Sequence, residues 1–184
     1  WTIGKNEYGQ LGDGTSTDRS TPVQIESSGV VEVSAGTYQT FYRKADGSLW
    51  TVGYNGRGQL GDGTTTNRTT PVQIEASGVV SLADSSYSHV TRYGKSDGSA
   101  WAVGDNHYGQ LGDGTTIDRN QSVQIVSSGV QTVSNGHHFG YILLDTGELK
   151  GFGNRSFGRL GDGFPLAHDW TPLDIADGVR DFEM

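Results

Sequence analysis

The chain has 184 residues, of which 33% are hydrophobic and 29 are glycine, and its formal net charge is −8. This acidic balance, with no run of Lys and Arg, argues against a nucleic-acid-binding surface, and no apolar run reaches the roughly 18 residues of a membrane helix. Cysteine is absent, which excludes disulfides, thiolate catalysis and Cys-ligated zinc. The chain opens at Trp1 without Met or a visible signal peptide, and this leaves its targeting open.

A glycine-rich phrase occurs four times in the chain. YGQLGDGT begins at Tyr8 and again at Tyr108, RGQLGDGT begins at Arg57, and FGRLGDGF begins at Phe157. A tryptophan stands upstream of the first three copies, and Lys150 takes its place before the fourth. This period predicts a repeat architecture in a single domain, 1–184, with units near 1–49, 50–100, 101–149 and 150–184.

Each unit predicts four short strands, which we label A to D. In the first full unit strand A is GVVEVSA and strand B is QTFYRKA, and a tight turn at Asp46-Gly47 leads into strand C, SLWTVG. Strand D is PVQI, whose proline favours an outer edge strand. No segment has sustained apolar residues at helical spacing. Four antiparallel strands per unit predict an all-β fold, a β-propeller of four-stranded blades.

The glycine-rich phrase is predicted to form the loop between strands C and D. Glycine tolerates the backbone angles of its sharp turns, while Asn6 and Asp13 can cap free N–H groups. The tryptophans are predicted to pack between blades, so Lys150 predicts a less well packed last interface. One leucine of each copy is predicted to plug the core: Leu11, Leu60, Leu111 and Leu160.

The units W-x-[VI]-G-x-N-x-x-G-Q-L-G and S-G-V-x-x-[VL]-[SA] resemble the repeats of the regulator of chromosome condensation family, over essentially the whole chain. The resemblance implies a propeller, commonly of seven blades, with a permuted strand that closes the ring. Repeats of that family often carry a His three residues after a Gly in the A–B loop. This chain has Gln39 and Phe139 there, and its second copy, ADSSY at 83–87, lacks the Gly.

The predicted strands amount to three complete blades plus flanking strands, a partial ring. The chain opens in strand C at Trp1 and ends in what we interpret as strand A, from Val179 to Phe182. Open ends leave sheet edges and apolar faces uncovered. We therefore expect either a piece of a longer chain or copies that self-associate to complete a ring.

Several patterns could carry chemistry, and none is convincing. GRGQLG at 56–61 matches a dinucleotide-binding motif but does not open a helix after a strand. One Asp and one Asn per glycine-rich loop fall short of the six or so oxygens that calcium needs, so we favour turn capping and leave calcium open. The loop aspartates (Asp13, Asp62, Asp113 and Asp162) are expected to pair, in the first three copies, with Arg19, Arg68 and Arg119.

The histidines and carboxylates predict no catalytic or metal site. His137 and His138 are neighbours, and neighbours on a strand point to opposite faces, so a shared metal is not expected. No Ser-His-Asp set and no pair of catalytic carboxylates stands out. We therefore name no metal-binding residues, with calcium in the glycine-rich loops left open, and we expect no cofactor and no enzymatic activity.

The topology gathers aromatic residues on one surface. In an antiparallel meander the A–B and C–D loops emerge on the same face of the propeller, and aromatic rings and Arg are favoured anchors of protein interfaces. The alternative is that these rings only cover the hydrophobic bases of the loops. The predicted protein-binding residues are Tyr8, Tyr38, Arg57, Tyr87, Tyr108, His138 and Phe157.

We expect a non-enzymatic module that binds a protein partner or builds a surface assembly. The Thr-, Ser- and Gly-rich acidic character resembles bacterial or viral extracellular members of the family, one of which, a secreted β-lactamase inhibitor, uses aromatics on one propeller face. This resemblance implies an extracellular or cell-surface location. The alternatives are nucleotide exchange on a small GTPase, which in the family depends on an insertion that these units lack, and a propeller hydrolase or lyase, for which convergent carboxylates are missing.

Overall fold

A computed structural model describes residues 1–83, 89–161 and 168–176 as nearly all-β. A two-stranded sheet precedes three four-stranded antiparallel sheets, and in each of these the strands are neighbours in chain order. The predicted propeller blades are therefore confirmed, as an arc that does not close into a ring. The predicted last strand, Val179 to Phe182, lies outside the described residues.

The half-blade consists of β1 (Thr2–Gly4) and β2 (Arg19–Val23). Blade 1 consists of β3 (Val30–Ala35), β4 (Gln39–Lys44), β5 (Leu49–Gly53) and β6 (Arg68–Glu75). Blade 2 consists of β7 (Val79–Leu82), β8 (Val90–Lys95), β9 (Ala100–Gly104) and β10 (Arg119–Val126). Blade 3 consists of β11 (Val130–Asn135), β12 (Phe139–Leu144), β13 (Leu149–Asn154) and β14 (His168–Ala176), with a 3₁₀ turn at Ser156–Gly158.

The A strands lie side by side along the arc. Strand β3 contacts β7, and β7 contacts β11. The D strands form the opposite edge of each sheet, and Pro71 lies in one of them, β6, as the sequence predicted. Among the described residues, no helix is long and apolar enough to cross a membrane.

Each of the first three C–D loops is built around one buried asparagine side chain. The Asn55 amide nitrogen donates to Asp62 Oδ1 and to the carbonyl oxygens of Thr64 and Thr66, each at 3.1 Å. Its amide oxygen accepts the Leu60 N–H at 2.9 Å, and this bond holds the buried leucine in place. Asn6 and Asn106 make the same bonds in their loops. The four leucine plugs are 0–5% exposed, as predicted.

The loop aspartate caps the turn and binds the arginine that opens strand D. Asp62 Oδ1 accepts the Thr64 N–H, and Asp62 Oδ2 accepts Arg68 Nε at 2.6 Å. These carboxylate oxygens are therefore occupied by the loop itself, which supports the turn-capping interpretation. The predicted Asp–Arg pairs are confirmed in all three loops.

The glycines of the loop allow one blade to approach the next. Gly58 has φ of +76°, and a Cβ there would lie 2.6 Å from the Cα of Asn120 in the following blade. The Gly63 N–H donates to the Asn120 carbonyl oxygen at 2.8 Å. The repeated phrase therefore shapes the turn and also docks it on the neighbouring sheet.

A polar network crosses the interface between blades 1 and 2. Glu75, at the end of strand D in blade 1, accepts the Tyr93 hydroxyl at 2.6 Å and lies 2.8 Å from Lys95 Nζ. The Lys95 ammonium also lies 5.0 Å from the centre of the Trp101 ring, which packs against the core of this interface. Glu26, Tyr42, Lys44 and Trp50 repeat the network between the half-blade and blade 1.

The interface between blades 2 and 3 replaces this network with apolar side chains. Val126, Ile142 and Leu144 take the places of the Glu, Tyr and Lys, and they belong to one core cluster with Phe152. The expectation that Lys150 marks a poorly packed interface is therefore wrong. Lys150, at the position of the tryptophan, pairs with Asp174 of strand D in its own blade.

The flank of the half-blade is uncovered. Trp1 is 76% exposed, so the prediction of inter-blade packing fails for this tryptophan, because the half-blade has no described A and B strands to pack on it. Val33 of β3 is 60% exposed, whereas Val133 at the corresponding position of β11 is 5% exposed. The half-blade and the neighbouring β3 thus expose apolar side chains that no described strand covers.

A buried arginine joins blades 2 and 3. Arg92 is 1% exposed, and burial lowers its pKa to about 9. Its guanidinium donates to the carbonyl oxygens of Ser134 and Gln110, at 2.8 and 2.5 Å, and to the side chain of Asn135. Position 140 is a glycine because a Cβ there would lie 2.4 Å from Arg92 Nη1.

The Glu75 network gives a stability prediction. We expect Glu75→Val to lower the free energy of unfolding by about 1–3 kcal/mol, because the Lys95 ammonium and the Tyr93 hydroxyl lose their shared acceptor. Adding Lys95→Leu introduces the leucine that stands at this position, as Leu144, in the interface between blades 2 and 3. The double variant should therefore recover part of the lost free energy of unfolding. Urea unfolding of the single and double variants measures this, and a double variant less stable than the single one would contradict it.

Candidate protein-binding face

The A–B and C–D loops of each blade are tied together by a backbone hydrogen bond. The Tyr54 N–H donates to the Tyr38 carbonyl oxygen at 2.8 Å, and the Asp105 N–H donates to that of His89 at 3.0 Å. These bonds place the residue before strand B beside the residue after strand C. Both kinds of loop therefore meet on one face, as the meander topology predicted.

A tyrosine cluster forms where the half-blade meets blade 1. The Tyr8 ring lies edge-on to the rings of Tyr38 and Tyr54, with centroids 5.0 Å apart in both pairs. The Tyr54 ring continues to His89 of blade 2, at 5.6 Å. Tyr8 and Tyr38 are half-buried, so each ring covers its neighbour and also reaches solvent.

A histidine cluster forms where blade 2 meets blade 3. The rings of His137 and His138 stack with centroids 3.8 Å apart, and Tyr108 lies 4.6 Å from His138. The expectation that the two histidines point to opposite faces is wrong, because they lie in the A–B loop before β12 and not within a strand.

Charged side chains lie between the two clusters. Arg57 Nη1 lies 3.4 Å from Asp118 Oδ2 of the next loop. His107 Nδ1 is 2.6 Å from Asp105 Oδ1, and Asp105 Oδ2 accepts the Gln110 side-chain N–H at 2.9 Å. The face therefore has aromatic ends and a polar middle.

The seven predicted protein-binding residues do not all lie in the two clusters. It brings Tyr8 together with Tyr38, and Tyr108 together with His138, while Arg57 lies between the two clusters. Phe157 lies in the blade 3 loop, 90% exposed with φ of +65°, and the Arg159 guanidinium lies 5.4 Å from its ring. The seventh residue, Tyr87, lies outside the described residues. Binding by these residues stays a prediction.

Sequence reasoning missed three aromatic members of the face: Tyr54, His89 and His137. It also missed the convergence of Asp105, His107 and Asp118 within one loop. Tyr54 had a usable signal, since it follows the last glycine of strand C and opens a C–D loop. His89 and Asp105 had no such sequence signal, because they are brought together by the backbone hydrogen bond between the A–B and C–D loops.

The titratable groups of the face are shifted by burial and by one another. Burial lowers the pKa of His89, and burial together with His137 lowers the pKa of His138, while Asp105 opposes both shifts. Burial is the largest influence on Asp105 and would raise its pKa, but the hydrogen bonds and charge of His107, together with the charge of Arg57, hold the pKa below its usual range. The Glu7 carboxylate raises the pKa of Tyr8. The face thus presents the neutral, half-buried imidazoles of His89 and His138 near an ionised carboxylate at neutral pH.

The family model of the regulator of chromosome condensation (RCC1) repeat matches residues 1–42, 46–91 and 97–143. These three matches cover more than half of the sequence. The chain belongs to the RCC1 repeat family. No curated protein sequence is a significant match to it.

Solved structures resemble the chain in fold. Human WBSCR16 matches 95% of the chain with a TM-score of 0.79 and 23% identity, and yeast RCC1 (Prp20) bound to Kap60 matches 95% with a TM-score of 0.79 and 18% identity. Prp20p from Saccharomyces cerevisiae, with binding properties to Gsp1p and histones, matches 80% with a TM-score of 0.67 and 17% identity. The matches cover 46%, 44% and 38% of these structures, so the chain spans less than half of their length.

The predicted extracellular or cell-surface location is wrong. The solved proteins that the chain resembles are nuclear or cytoplasmic. The composition that suggested secretion has a structural origin, because the glycines and threonines of the C–D loops make the tight turns and the loop hydrogen bonds. Ser-, Thr- and Gly-rich character therefore reports the repeat and not the compartment.

The half-buried imidazoles of His89 and His138 give a pH prediction. Because the pKa values of His89 and His138 are lowered in the fold, the unfolded chain binds more protons near their ordinary pKa of about 6.5. The free energy of unfolding should therefore fall as the pH drops from 7.5 to 5.5. Urea midpoints at the two pH values measure this, and His89→Gln with His138→Gln should narrow the difference. An equally large difference in the double variant would contradict the assignment.

Proposed function

We propose that this chain is a non-enzymatic protein-binding module and that its partner contacts the aromatic face. We define the aromatic face as Tyr8, Tyr38, Tyr54, His89, Tyr108, His137 and His138. The observation that carries the proposal is the run of ring contacts from Tyr8 through Tyr54 to His89, on loops from successive blades. Rigid aromatic rings supply a large contact area at little cost in side-chain entropy.

The charges of the face favour binding over catalysis. The loop aspartates are held by arginine and threonine, as in Asp62 with Arg68 and Thr64. Asp105 is held by His107 and Gln110. Carboxylates fixed in this way are structural acceptors, and general acid–base chemistry needs a group free to exchange its proton with a substrate.

The acidic charge favours a basic partner. The chain carries 21 acidic and 13 basic residues, and complementary charge speeds association and aids partner selection. Prp20p, at 17% identity, has binding properties to histones, which are strongly basic proteins. Histones are therefore the first probe of the proposed interaction.

A second candidate function is regulation of a small GTPase. It is favoured by the resemblance to Prp20p, whose binding properties extend to Gsp1p. Such regulation still depends on a protein-binding surface, so the two candidates share the binding step and differ in whether binding changes nucleotide release.

We expect Tyr38→Ala with Tyr108→Ala to weaken histone binding at least tenfold. Each substitution removes a ring from a different cluster of the face, and central aromatic anchors carry much of the binding energy of an interface. Biolayer interferometry with immobilised histones measures the affinity. Val80→Ala is the matched control, because Val80 is a 50% exposed apolar residue of β7 outside the face.

Equal affinities of the double variant and the wild-type chain would contradict the proposed face. Wild-type binding to a small GTPase, accompanied by faster release of its bound GDP, would favour the second candidate. Binding without faster release would favour the first candidate.

Self-association to complete the propeller is a separate proposal. The apolar flank of the half-blade exposes Trp1 and Val33, and further blades from a second copy would cover it. We expect light scattering of the purified 184-residue chain to show a dimer or larger species. A monomer at all accessible concentrations would contradict self-association and leave the proposed binding face unaffected.

A further inference from the structure

We propose that Asp105, His107 and Asp118 bind a divalent transition-metal ion of the zinc type. One ligand atom from each residue lies within 4.8 Å of the others. His107 Nδ1 is 2.6 Å from Asp105 Oδ1 and 3.4 Å from Asp118 Oδ1. Metal binding at this site can be measured directly without a protein partner, so its test does not depend on the proposed protein-binding function.

The comparison of the repeats shows that two of the three residues are not needed to fold the loop. Where the third loop has Asp105 and His107, the first has Lys5 and Glu7 and the second has Tyr54 and Gly56. The bonds around the loop asparagine are nevertheless the same in all three loops. The loop therefore folds without Asp105 and His107, and both of these side chains can act as metal ligands.

Asp118 differs from the other two, because its position has a role in every loop. Its Oδ1 accepts the Asn106 backbone N–H at 2.8 Å, just as Asp18 and Asn67 accept the corresponding N–H groups. A carboxylate oxygen has more than one lone pair, so the same atom can accept this bond and face a cation. The scaffold thus fixes one ligand, and the third loop adds two around it.

The geometry suits a small tetrahedral ion. Zinc binds imidazole nitrogen and carboxylate oxygen at about 2.0–2.2 Å, which places neighbouring ligand atoms about 3.4 Å apart. The 3.4 Å from His107 to Asp118 matches this spacing, and the 2.6 Å from His107 to Asp105 must widen slightly as His107 gives up its Nδ1 proton. Three protein ligands leave the fourth position for water or for a partner's side chain.

The surroundings orient the ligands and leave them accessible. Asp105 Oδ2 is held by Gln110, which turns Oδ1 towards His107, and such outer hydrogen bonds are a regular feature of metal sites. The side chain of His107 is 55% exposed and that of Asp118 is 29% exposed. Arg57, 3.4 Å from Asp118 Oδ2, places a positive charge beside the site and weakens cation binding.

Calorimetric titration of the wild-type chain with Zn²⁺ tests the site. We expect an equivalent of Zn²⁺ that is lost in the double variant Asp105→Tyr, His107→Gly. That variant installs the residues of the second loop, which this scaffold already accepts, and circular dichroism checks its folding. The single variant His107→Ala should also fail to bind this equivalent of Zn²⁺. It replaces the double variant in the test if the double variant does not fold.

Two further measurements separate a coordinating site from a merely acidic surface. Millimolar Ca²⁺ should not displace the zinc, because calcium needs six or more oxygen ligands. Arg57→Gln should tighten Zn²⁺ binding several-fold by removing the neighbouring charge, while His137→Gln should leave this equivalent unchanged. Two results would overturn the proposal. One is zinc binding that is unaltered in both the double variant Asp105→Tyr, His107→Gly and the single variant His107→Ala. The other is zinc binding that millimolar Ca²⁺ abolishes.

Discussion

The buried side-chain amide of one asparagine in each of the first three C–D loops is the interaction on which the rest of the structure depends. Asn6, Asn55 and Asn106 are fully buried, and each uses both ends of its amide within one loop. A buried amide left without partners would cost about 1–3 kcal/mol, so the loop closes only in the conformation that satisfies it. That conformation also places the leucine plug in the core and presents the glycine edge to the next blade. The stacking of blades is thus fixed from within each loop.

Equivalent interfaces between blades are filled in two ways, by a polar network in one and by apolar side chains in another. Between blades 1 and 2 a carboxylate, a phenol and an ammonium satisfy one another beside Trp101. Between blades 2 and 3 all of these groups are exchanged for Val, Ile and Leu, and Lys takes the place of the tryptophan. The residues change as a set because a single apolar replacement would leave a polar partner unsatisfied.

The part of the fold that repeats was predictable, and the part that joins different repeats was not. The period of the glycine phrase, the Asp-Gly turns and the alternation in the strands predicted the blades and the leucine plugs. The same reasoning predicted a poorly packed interface at Lys150. It compared only the tryptophan position between repeats and did not consider the residues of the previous blade that face this position. It applied the rule that strand neighbours diverge to His137 and His138, although it also assigned His138 to an A–B loop, and in that loop the two rings stack. Arg92 also gave no sequence signal, since its acceptors are mostly backbone carbonyls of distant residues.

The candidate sites follow from the separation of scaffold and variable positions within the loop. The asparagine, aspartate, leucine and glycine positions hold the backbone, and loops with different residues around them make the same hydrogen bonds. The first two loops use this freedom for the rings of Tyr8 and Tyr54, and the third uses it for Tyr108 and also for Asp105 and His107. Arg57 joins the two uses, because it stands at the position of Tyr8 in its own loop and reaches Asp118 in the next. A cation bound beside Asp118 would compete with Arg57 for that carboxylate and release the guanidinium towards a partner. The proposed ion site and the proposed protein-binding face would therefore be coupled through a single side chain.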